Sequence, residues 1–177
     1  MEIKDGGILI VSGPRTGSTN LGKSISSFYK KKFIFEPYIF DDTQLFDEKS
    51  DVVKIIPPDG DYNKIISVIK KFNTIILLDR KNKKEQCDSL YSLNKNKTFD
   101  TKWFIDDIDR DCIEYKNYLI EVKKISDILE SISKDLNLEI DYYEELYSDK
   151  KLKNKKILLD SSFFDKKYKL RSTRTIV

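Results

Sequence analysis

Histidine is absent from the 177 residues of this sequence. Its absence excludes mechanisms that depend on imidazole, including the Ser-His-Asp triad and zinc sites with histidine ligands. Proton transfer must therefore fall to a carboxylate, lysine, tyrosine or cysteine side chain. Cysteine is scarce as well, since Cys87 and Cys112 are too few for a disulfide framework and lack the spacing of a metal site. We expect both to be reduced packing residues, as in a cytoplasmic protein.

Long apolar runs, internal repeats and linkers rich in glycine, serine or proline are also missing. No stretch approaches the roughly 18 apolar residues of a membrane span, so we predict none. The lack of linkers predicts a single domain over residues 1–177. The net charge is only +3, from 33 basic and 30 acidic residues mixed along the chain, which argues against a nucleic-acid partner.

What the sequence does contain is an alternation of short apolar runs with helical patterns. Continuous apolar runs are typical of strands that are buried on both faces. Helical spacing of apolar residues begins near Asn20, Tyr62 and Leu119. Together the elements predict a three-layer α/β fold with a mostly parallel central sheet. The predicted strands are residues 7–11, 33–35, 52–56, 74–78 and, more weakly, 138–142.

The turn between the first strand and the first helix, residues 13–19, is rich in glycine and hydrogen-bond donors. Backbone N–H groups and the positive end of a helix make such a turn an anion site. Arg15 adds a forked cation, and Ser18 and Thr19 add hydroxyl groups. The alternative is an ordinary loop with a polar helix cap. The convergence of donors favours a phosphate or sulfate group at this turn.

Residues 17–24 match the G-x-x-x-x-G-K-[ST] pattern of ATP- and GTP-binding loops. In that interpretation the chain is a small ATP-dependent kinase that uses Mg²⁺, Lys23, Ser24 and Asp79. In that motif the first glycine directly follows the strand. Here the first strand is predicted to end near Ser12, four residues too early for Gly17 to take that place. Lys23 would then lie a turn inside the helix, away from a phosphate. We therefore interpret the match as coincidental.

Residues 14–21, Pro-Arg-Thr-Gly-Ser-Thr-Asn-Leu, resemble the Pro-Arg-Ser-Gly-[Ser/Thr]-[Ser/Thr]-x-Leu loop of sulfotransferases. Those enzymes use 3′-phosphoadenosine 5′-phosphosulfate (PAPS) and have a P-loop-like α/β fold. In the family this loop cradles the 5′-phosphosulfate. The resemblance implies that the corresponding binders here are Arg15, Thr16, Gly17, Ser18, Thr19 and Asn20.

Residues 79–91 resemble a second sulfotransferase segment, Arg-Arg-x-Lys-x-x-Gln-x-x-Ser-Leu-[Trp/Tyr]. In the family an arginine at the strand end and a serine on the next helix bind the 3′-phosphate, and Arg80 and Ser89 fall at those positions. Taken alone, Arg80 would be interpreted as a surface ion-pair residue. A third similarity, of residues 143–146 to a Tyr-Glu-[Asp/Glu]-Leu segment, is assigned a structural role.

A carboxylate is the expected catalytic base, and Glu36 is the first candidate. It follows a predicted strand, at the edge where open α/β sheets bind ligands, and it resembles the Glu-Pro segment of the family. The alternative is an ordinary surface glutamate. Lys54 lies inside an apolar run, where a charge is costly unless it is paired or emerges at the sheet edge. Sulfotransferases carry a lysine in such a strand, and the resemblance implies that Lys54 helps to hold substrate or the transferring group. The alternative is an outward lysine on an edge strand.

The basic C-terminal tail contains Arg171 between Lys169 and Arg174. By resemblance to a late basic segment of the family, Arg171 is predicted to cover the 3′-phosphate. The alternative is a tail without that role.

The sequence thus predicts transfer of a sulfuryl group from PAPS to a hydroxyl or amine. The product nucleotide is 3′-phosphoadenosine 5′-phosphate (PAP), and no metal is expected. The acceptor is expected to be a small molecule or a carbohydrate, and a homodimer is compatible with the sequence. The alternatives are the kinase and a non-catalytic nucleotide-binding module of the same fold.

Overall fold

The structure is a computed structural model that describes residues 6–36, 51–57, 62–96 and 108–147. A five-stranded sheet has the order β2-β3-β1-β4-β5, and every neighbouring pair is parallel. The prediction of an α/β protein with a mostly parallel sheet is confirmed. The strands are β1 (Ile8–Ser12), β2 (Phe33–Phe35), β3 (Val52–Ile55), β4 (Thr74–Asp79) and β5 (Ile140–Tyr142).

Helices cover both faces of the sheet, as the contacts of β1 show. Successive residues of a strand point to opposite faces. Ile8 and Ile10 share a buried cluster with residues of α1 and with Leu146, whereas Leu9 and Val11 share one with residues of α2 and α4. The first apolar run is therefore continuous because both of its faces are buried. The helices are α1 (Ser18–Tyr29), α2 (Tyr62–Ile69), α3 (Lys83–Asn96), α4 (Ile113–Leu136) and α5 (Tyr143–Leu146).

The helix boundaries differ from the sequence patterns in two places. α4 begins at Ile113, ahead of Leu119, and its first turn packs on α3 rather than on the sheet. Cys87, Tyr91 and Tyr115 form a small separate cluster between these two helices. Because α3 is mostly polar, its periodicity is weak and only the resemblance indicated a helix there.

The strand order places β1 in the middle of the sheet, with β3 on one side and β4 on the other. After β1 the chain builds β2 and β3, and it then crosses to the opposite side to form β4. Such a reversal opens a crevice at the carboxyl ends of the strands, where open α/β sheets bind ligands. The turn after β1 therefore lies where a ligand is expected.

Within the four described ranges, no helix is long and apolar enough to cross a membrane. Cys87 and Cys112 are both free thiols, the first buried and the second partly exposed.

Candidate anion-binding site at the carboxyl edge of the sheet

The turn after β1 ends at Gly17, which is the N-cap of α1 and has a left-handed backbone with φ of 75°. A side chain would be strained there. A Cβ atom at this position would also lie 2.9 Å from Cε2 of Tyr147 and 3.0 Å from Cδ2 of Tyr143. Gly17 offers no side chain to cap the first turn of α1, so this end of the helix is suited to bind an anion.

Three side chains hold the turn in shape. The Thr16 hydroxyl donates to the Gly13 carbonyl at 2.9 Å, and Gln86 Nε2 donates to the Pro14 carbonyl at 2.7 Å. The Tyr147 hydroxyl donates to the Gly17 carbonyl at 3.0 Å. Thr16 is completely buried. Its hydroxyl therefore supports the turn from inside, and the assignment of Thr16 to the ligand stays a prediction.

Arg15 connects the turn to α3. Its Nε donates to Ser89 Oγ at 2.9 Å, and its backbone is left-handed with φ of 58°. Burial lowers the pKa of Arg15, and the positive charge of Arg80 lowers that pKa further, while Tyr143 acts in the opposite direction. The structure thus brings together Arg15, Ser89 and Arg80, which come from separate parts of the chain.

Arg80 follows β4 and is buried, with 9% of its surface exposed. Its side chain is therefore not on the surface, although it forms ion pairs. Its Nη2 lies 2.6 Å from Glu85 Oε2, and its Nε lies 3.6 Å from Glu144 Oε1. The guanidinium group also stacks over the Tyr143 ring, 4.6 Å from the ring centroid. These contacts fix the Arg80 guanidinium beside the turn.

Three buried polar atoms in the described part of the chain have no hydrogen-bond partner: Ser12 Oγ, Arg80 Nε and Gln86 Oε1. Ser12 ends β1, Arg80 follows β4, and Gln86 contacts the turn itself. Buried polar groups are nearly always paired in native proteins. All three lie at the carboxyl edge of the sheet, beside the turn after β1.

The remaining predicted residues of the turn lie in the first turn of α1. Ser18 is buried, Thr19 is partly exposed and Asn20 is exposed. The Asn20 carbonyl accepts a hydrogen bond from Ser24 Oγ at 2.8 Å. Arg171 and the rest of the basic tail lie outside the described residues.

No protein-family model and no curated protein matches this chain. The interpretation of the site therefore depends on its own geometry.

The residues that a kinase would need either face solvent or make other contacts in the described part of the chain. Lys23 is the sixth residue of α1 and is exposed, and Ser24 is committed to the helix backbone. Asp79 Oδ2 accepts hydrogen bonds from Lys83 Nζ and Ser126 Oγ, each at 2.6 Å. The interpretation of the G-x-x-x-x-G-K-[ST] match as coincidental stays a prediction.

A second charged group lies at the carboxyl ends of β2 and β3. Lys54 is only 3% exposed, and β3 lies between β2 and β1, so the alternative of an outward lysine on an edge strand is wrong. The Lys54 ammonium pairs with the Glu36 carboxylate and lies 4.8 Å from the centroid of the Phe35 ring. Burial lowers the pKa of Lys54, and the hydrogen bond to Glu36 opposes that shift.

Glu36 has an unusual backbone for a surface residue. Its φ is 44°, its N–H donates to the Lys54 carbonyl at 2.9 Å, and its side chain is 36% exposed. A non-glycine residue in the left-handed region is strained and is maintained by its surroundings. The carboxylate is thus oriented by Lys54 and remains open to solvent on one side.

Two contributors to the site were not assigned to it from the sequence. Gln86 lies within the segment resembling the 3′-phosphate motif, so its position was visible although its contact with Pro14 was not. Tyr147 follows the last motif and gave no signal, because only the fold brings it to Gly17, which is 130 residues away in sequence. Glu144 accepts hydrogen bonds from the backbone N–H groups of Lys81 and Asn82, each at 3.0 Å, which fits the structural role assigned to its segment.

Proposed function

We propose that this chain is a sulfotransferase that takes its sulfuryl group from PAPS. The observation that carries the proposal is the convergence of two guanidinium groups, those of Arg15 and Arg80, beside the N-terminus of α1. They belong to different loops and are both substantially withdrawn from water. A nucleotide with two phosphate-bearing ends matches two cationic groups on separate loops.

The electrostatics favour an anion with several negative charges. Burial is the main cause of the lowered pKa of Arg15, and the positive charge of Arg80 lowers that pKa further, so an anion near both guanidinium groups would offset both effects. Guanidinium groups bind phosphate and sulfate oxygens through two parallel hydrogen bonds. The N-terminus of α1 adds backbone N–H donors and a partial positive charge.

The residues present fit a 3′-phosphorylated nucleotide. In the proposed arrangement the backbone from Gly13 to Gly17 and Arg15 face the phosphosulfate, and Arg80 faces the 3′-phosphate. Ser89 accepts a hydrogen bond from Arg15 Nε at 2.9 Å. The unpartnered atoms Ser12 Oγ and Gln86 Oε1 offer further polar contacts at the same edge. A P-loop-like sulfotransferase fold is part of this proposal, and a central β1 followed directly by the glycine turn supports it.

In the proposed reaction an acceptor hydroxyl or amine attacks the sulfur atom. A bond from the acceptor oxygen or nitrogen to sulfur forms while the bond from sulfur to the bridging oxygen of the 5′-phosphate breaks, which leaves PAP. The acceptor proton passes to Glu36, which Lys54 orients. Arg15 stabilises the negative charge that moves to the departing phosphate.

Calorimetry tests the donor site without knowledge of the acceptor. PAP and ATP with Mg²⁺ are titrated into the wild type, Arg80→Ala and Lys23→Ala. Because a charge-assisted hydrogen bond contributes about 1.5–3 kcal/mol, loss of the two that Arg80 offers should weaken PAP binding by at least about 100-fold. Lys23→Ala should leave PAP binding within about 2-fold, because exposed charges far from a ligand contribute little.

The opposite pattern would reject the proposal. Preference for Mg·ATP, with binding lost in Lys23→Ala and retained in Arg80→Ala, would favour the small ATP-dependent kinase instead. Tight PAP binding without transfer of labelled sulfate from PAPS to any acceptor of a broad hydroxyl and amine panel would favour the non-catalytic module.

A further inference from the structure

The short helix α5 touches both loops that carry the cationic groups. On one side Glu144 accepts hydrogen bonds from the N–H groups of Lys81 and Asn82, each at 3.0 Å, in the loop that follows Arg80. On the other side Tyr147, directly after α5, donates to the Gly17 carbonyl at 3.0 Å. One segment of five residues therefore connects the turn after β1 to the loop after β4.

The tyrosine rings of this segment fill the space between the two loops. Tyr143 and Tyr147 lie 4.9 Å apart, and both rings would contact a side chain at Gly17. Tyr143 also contacts the Arg80 guanidinium, which lies 4.6 Å from the centroid of the Tyr143 ring. The order Arg80, Tyr143, Tyr147, Gly17 is thus a continuous row of contacts from one cationic loop to the glycine turn.

The segment is held firmly in place. Leu146 is 2% exposed and belongs to the core cluster between the sheet and α1. Burial acts to raise the pKa of Glu144, but the N–H groups of Asn82 and Lys81 and the charge of Arg80 lower it overall. The charged form of Glu144 is therefore stabilised where it contacts the loop.

We propose that residues 143–147 form a brace that sets the distance between the two anion-binding loops, with Glu144 and Tyr147 as positioning residues for the nucleotide. This inference rests on the proposed function for its ligand. Its consequence is energetic coupling: a phosphate held at one loop organises the other loop for a second phosphate. The brace thereby favours a nucleotide with both phosphates over one with either phosphate alone.

Amide hydrogen exchange tests the brace in the absence of nucleotide. Glu144→Gln alters only contacts to the loop after β4, and Tyr147→Phe removes only the hydroxyl that bonds Gly17. The reporters are the Asn82 amide, which bonds Glu144, and the Leu21 amide, which bonds the Gly17 carbonyl at 3.1 Å. Each rate is measured relative to the Ile10 amide of the central strand, so that global unfolding does not contribute.

A brace predicts effects on the opposite loop. Glu144→Gln should speed exchange at Leu21, and Tyr147→Phe should speed exchange at Asn82, each by about 10-fold. Two matched controls should change both rates by less than about 2-fold. Glu114→Gln makes the same chemical change at an exposed residue outside the brace, where the side chain pairs with Lys95, and Tyr62→Phe removes a hydroxyl that bonds Asp135 on the far side of the sheet. Effects confined to the altered side would overturn the brace.

Nucleotide titrations then test the functional consequence. PAP, adenosine 5′-phosphate and adenosine 3′-phosphate are compared on the same variants. The advantage of PAP over the monophosphates should fall about 10-fold in Glu144→Gln and Tyr147→Phe, while the affinity for each monophosphate changes less than about 3-fold. Equal losses for all three nucleotides would mean that each residue supports only its own loop. A wild type that binds none of the three overturns the proposed function, and the exchange result then decides the brace by itself.

Discussion

Charges at the carboxyl edge of the sheet are arranged differently at its two corners. The β4 corner, formed by Arg15, Arg80 and Ser89, holds two guanidinium groups, and Arg80 pairs with Glu85 and lies near Glu144. Glu144 is committed to backbone amides, and Glu85 is 59% exposed. The β2 corner, formed by Glu36 and Lys54, holds a single ion pair in which each charge neutralises the other.

This difference separates two kinds of chemistry. A corner with two like charges and unpartnered polar atoms is suited to bind a ligand with several negative charges. A corner with a neutralised pair does not attract an anion, but its half-exposed carboxylate can take up a proton. The comparison predicts that variants at the β4 corner change nucleotide affinity, whereas variants at the β2 corner change stability and catalysis without changing nucleotide affinity.

The largest effect is expected for Gly17→Ala. A Cβ atom there would meet both tyrosine rings at about 3 Å and would force a left-handed backbone on alanine. The left-handed conformation and overpacking together should lower the free energy of unfolding by about 3 kcal/mol and abolish PAP binding. Urea unfolding and calorimetry measure the two effects. Gly13→Ala is the comparison variant. Gly13 does not have a left-handed backbone, and its Cβ would make one close contact, with Gln86 Nε2 at 3.0 Å, so the effect should be smaller.

The next largest effect is expected from breaking the ion pair at the β2 corner. Glu36→Gln leaves the buried Lys54 ammonium without its counter-charge and should cost about 2 kcal/mol of stability. Lys54→Met removes the buried charge and keeps the apolar stem, so stability should stay within about 1 kcal/mol of the wild type. PAP affinity should be unchanged in both variants. A large loss of PAP affinity in either one would remove the distinction between the corners.

A smaller effect is expected for Ser89→Ala, which removes the hydrogen-bond acceptor of Arg15. Loss of one such bond should weaken PAP binding by about 10-fold with little change in stability. Comparing adenosine 3′-phosphate with adenosine 5′-phosphate shows which end of the nucleotide Ser89 serves, and the sequence predicts the 3′ end. Ser67→Ala, on α2, is a control because Ser67 bonds only its own helix backbone at Lys64.

The smallest effect is a pH dependence from Lys54. The pKa of Lys54 is lowered from 10.5 in the folded protein. Between this lowered folded-state pKa and the unfolded-state pKa of 10.5, the unfolded chain binds more protons than the folded protein. Stability therefore rises with pH across that window, and the cost of burying the charge is fully present below it. The wild type should gain stability relative to Lys54→Met as the pH rises toward 10.5. A difference that is constant with pH would show that Lys54 does not titrate in this way.

The sequence patterns predicted the sheet well because its strands are buried on both faces. The predicted bounds of β1, β3 and β4 agree with the structure to within one residue, although Lys54 interrupts the apolar run of β3. α3 was harder to predict from the sequence, since it packs on α4 through a few residues such as Cys87 and Tyr91 and its remaining surface is polar. Tertiary contacts of this kind leave no periodic pattern in the sequence.

The sequence by itself determined the alternation of strands and helices, the glycine turn after the first strand and the identity of the cationic residues. It did so because these features depend on neighbouring residues and on local backbone preference. Only the tertiary structure decided that Lys54 is buried and paired with Glu36, that Arg15 meets Ser89, and that Tyr147 bonds Gly17. Those contacts depend on strand order and on packing between distant segments, which a linear pattern of residues does not encode.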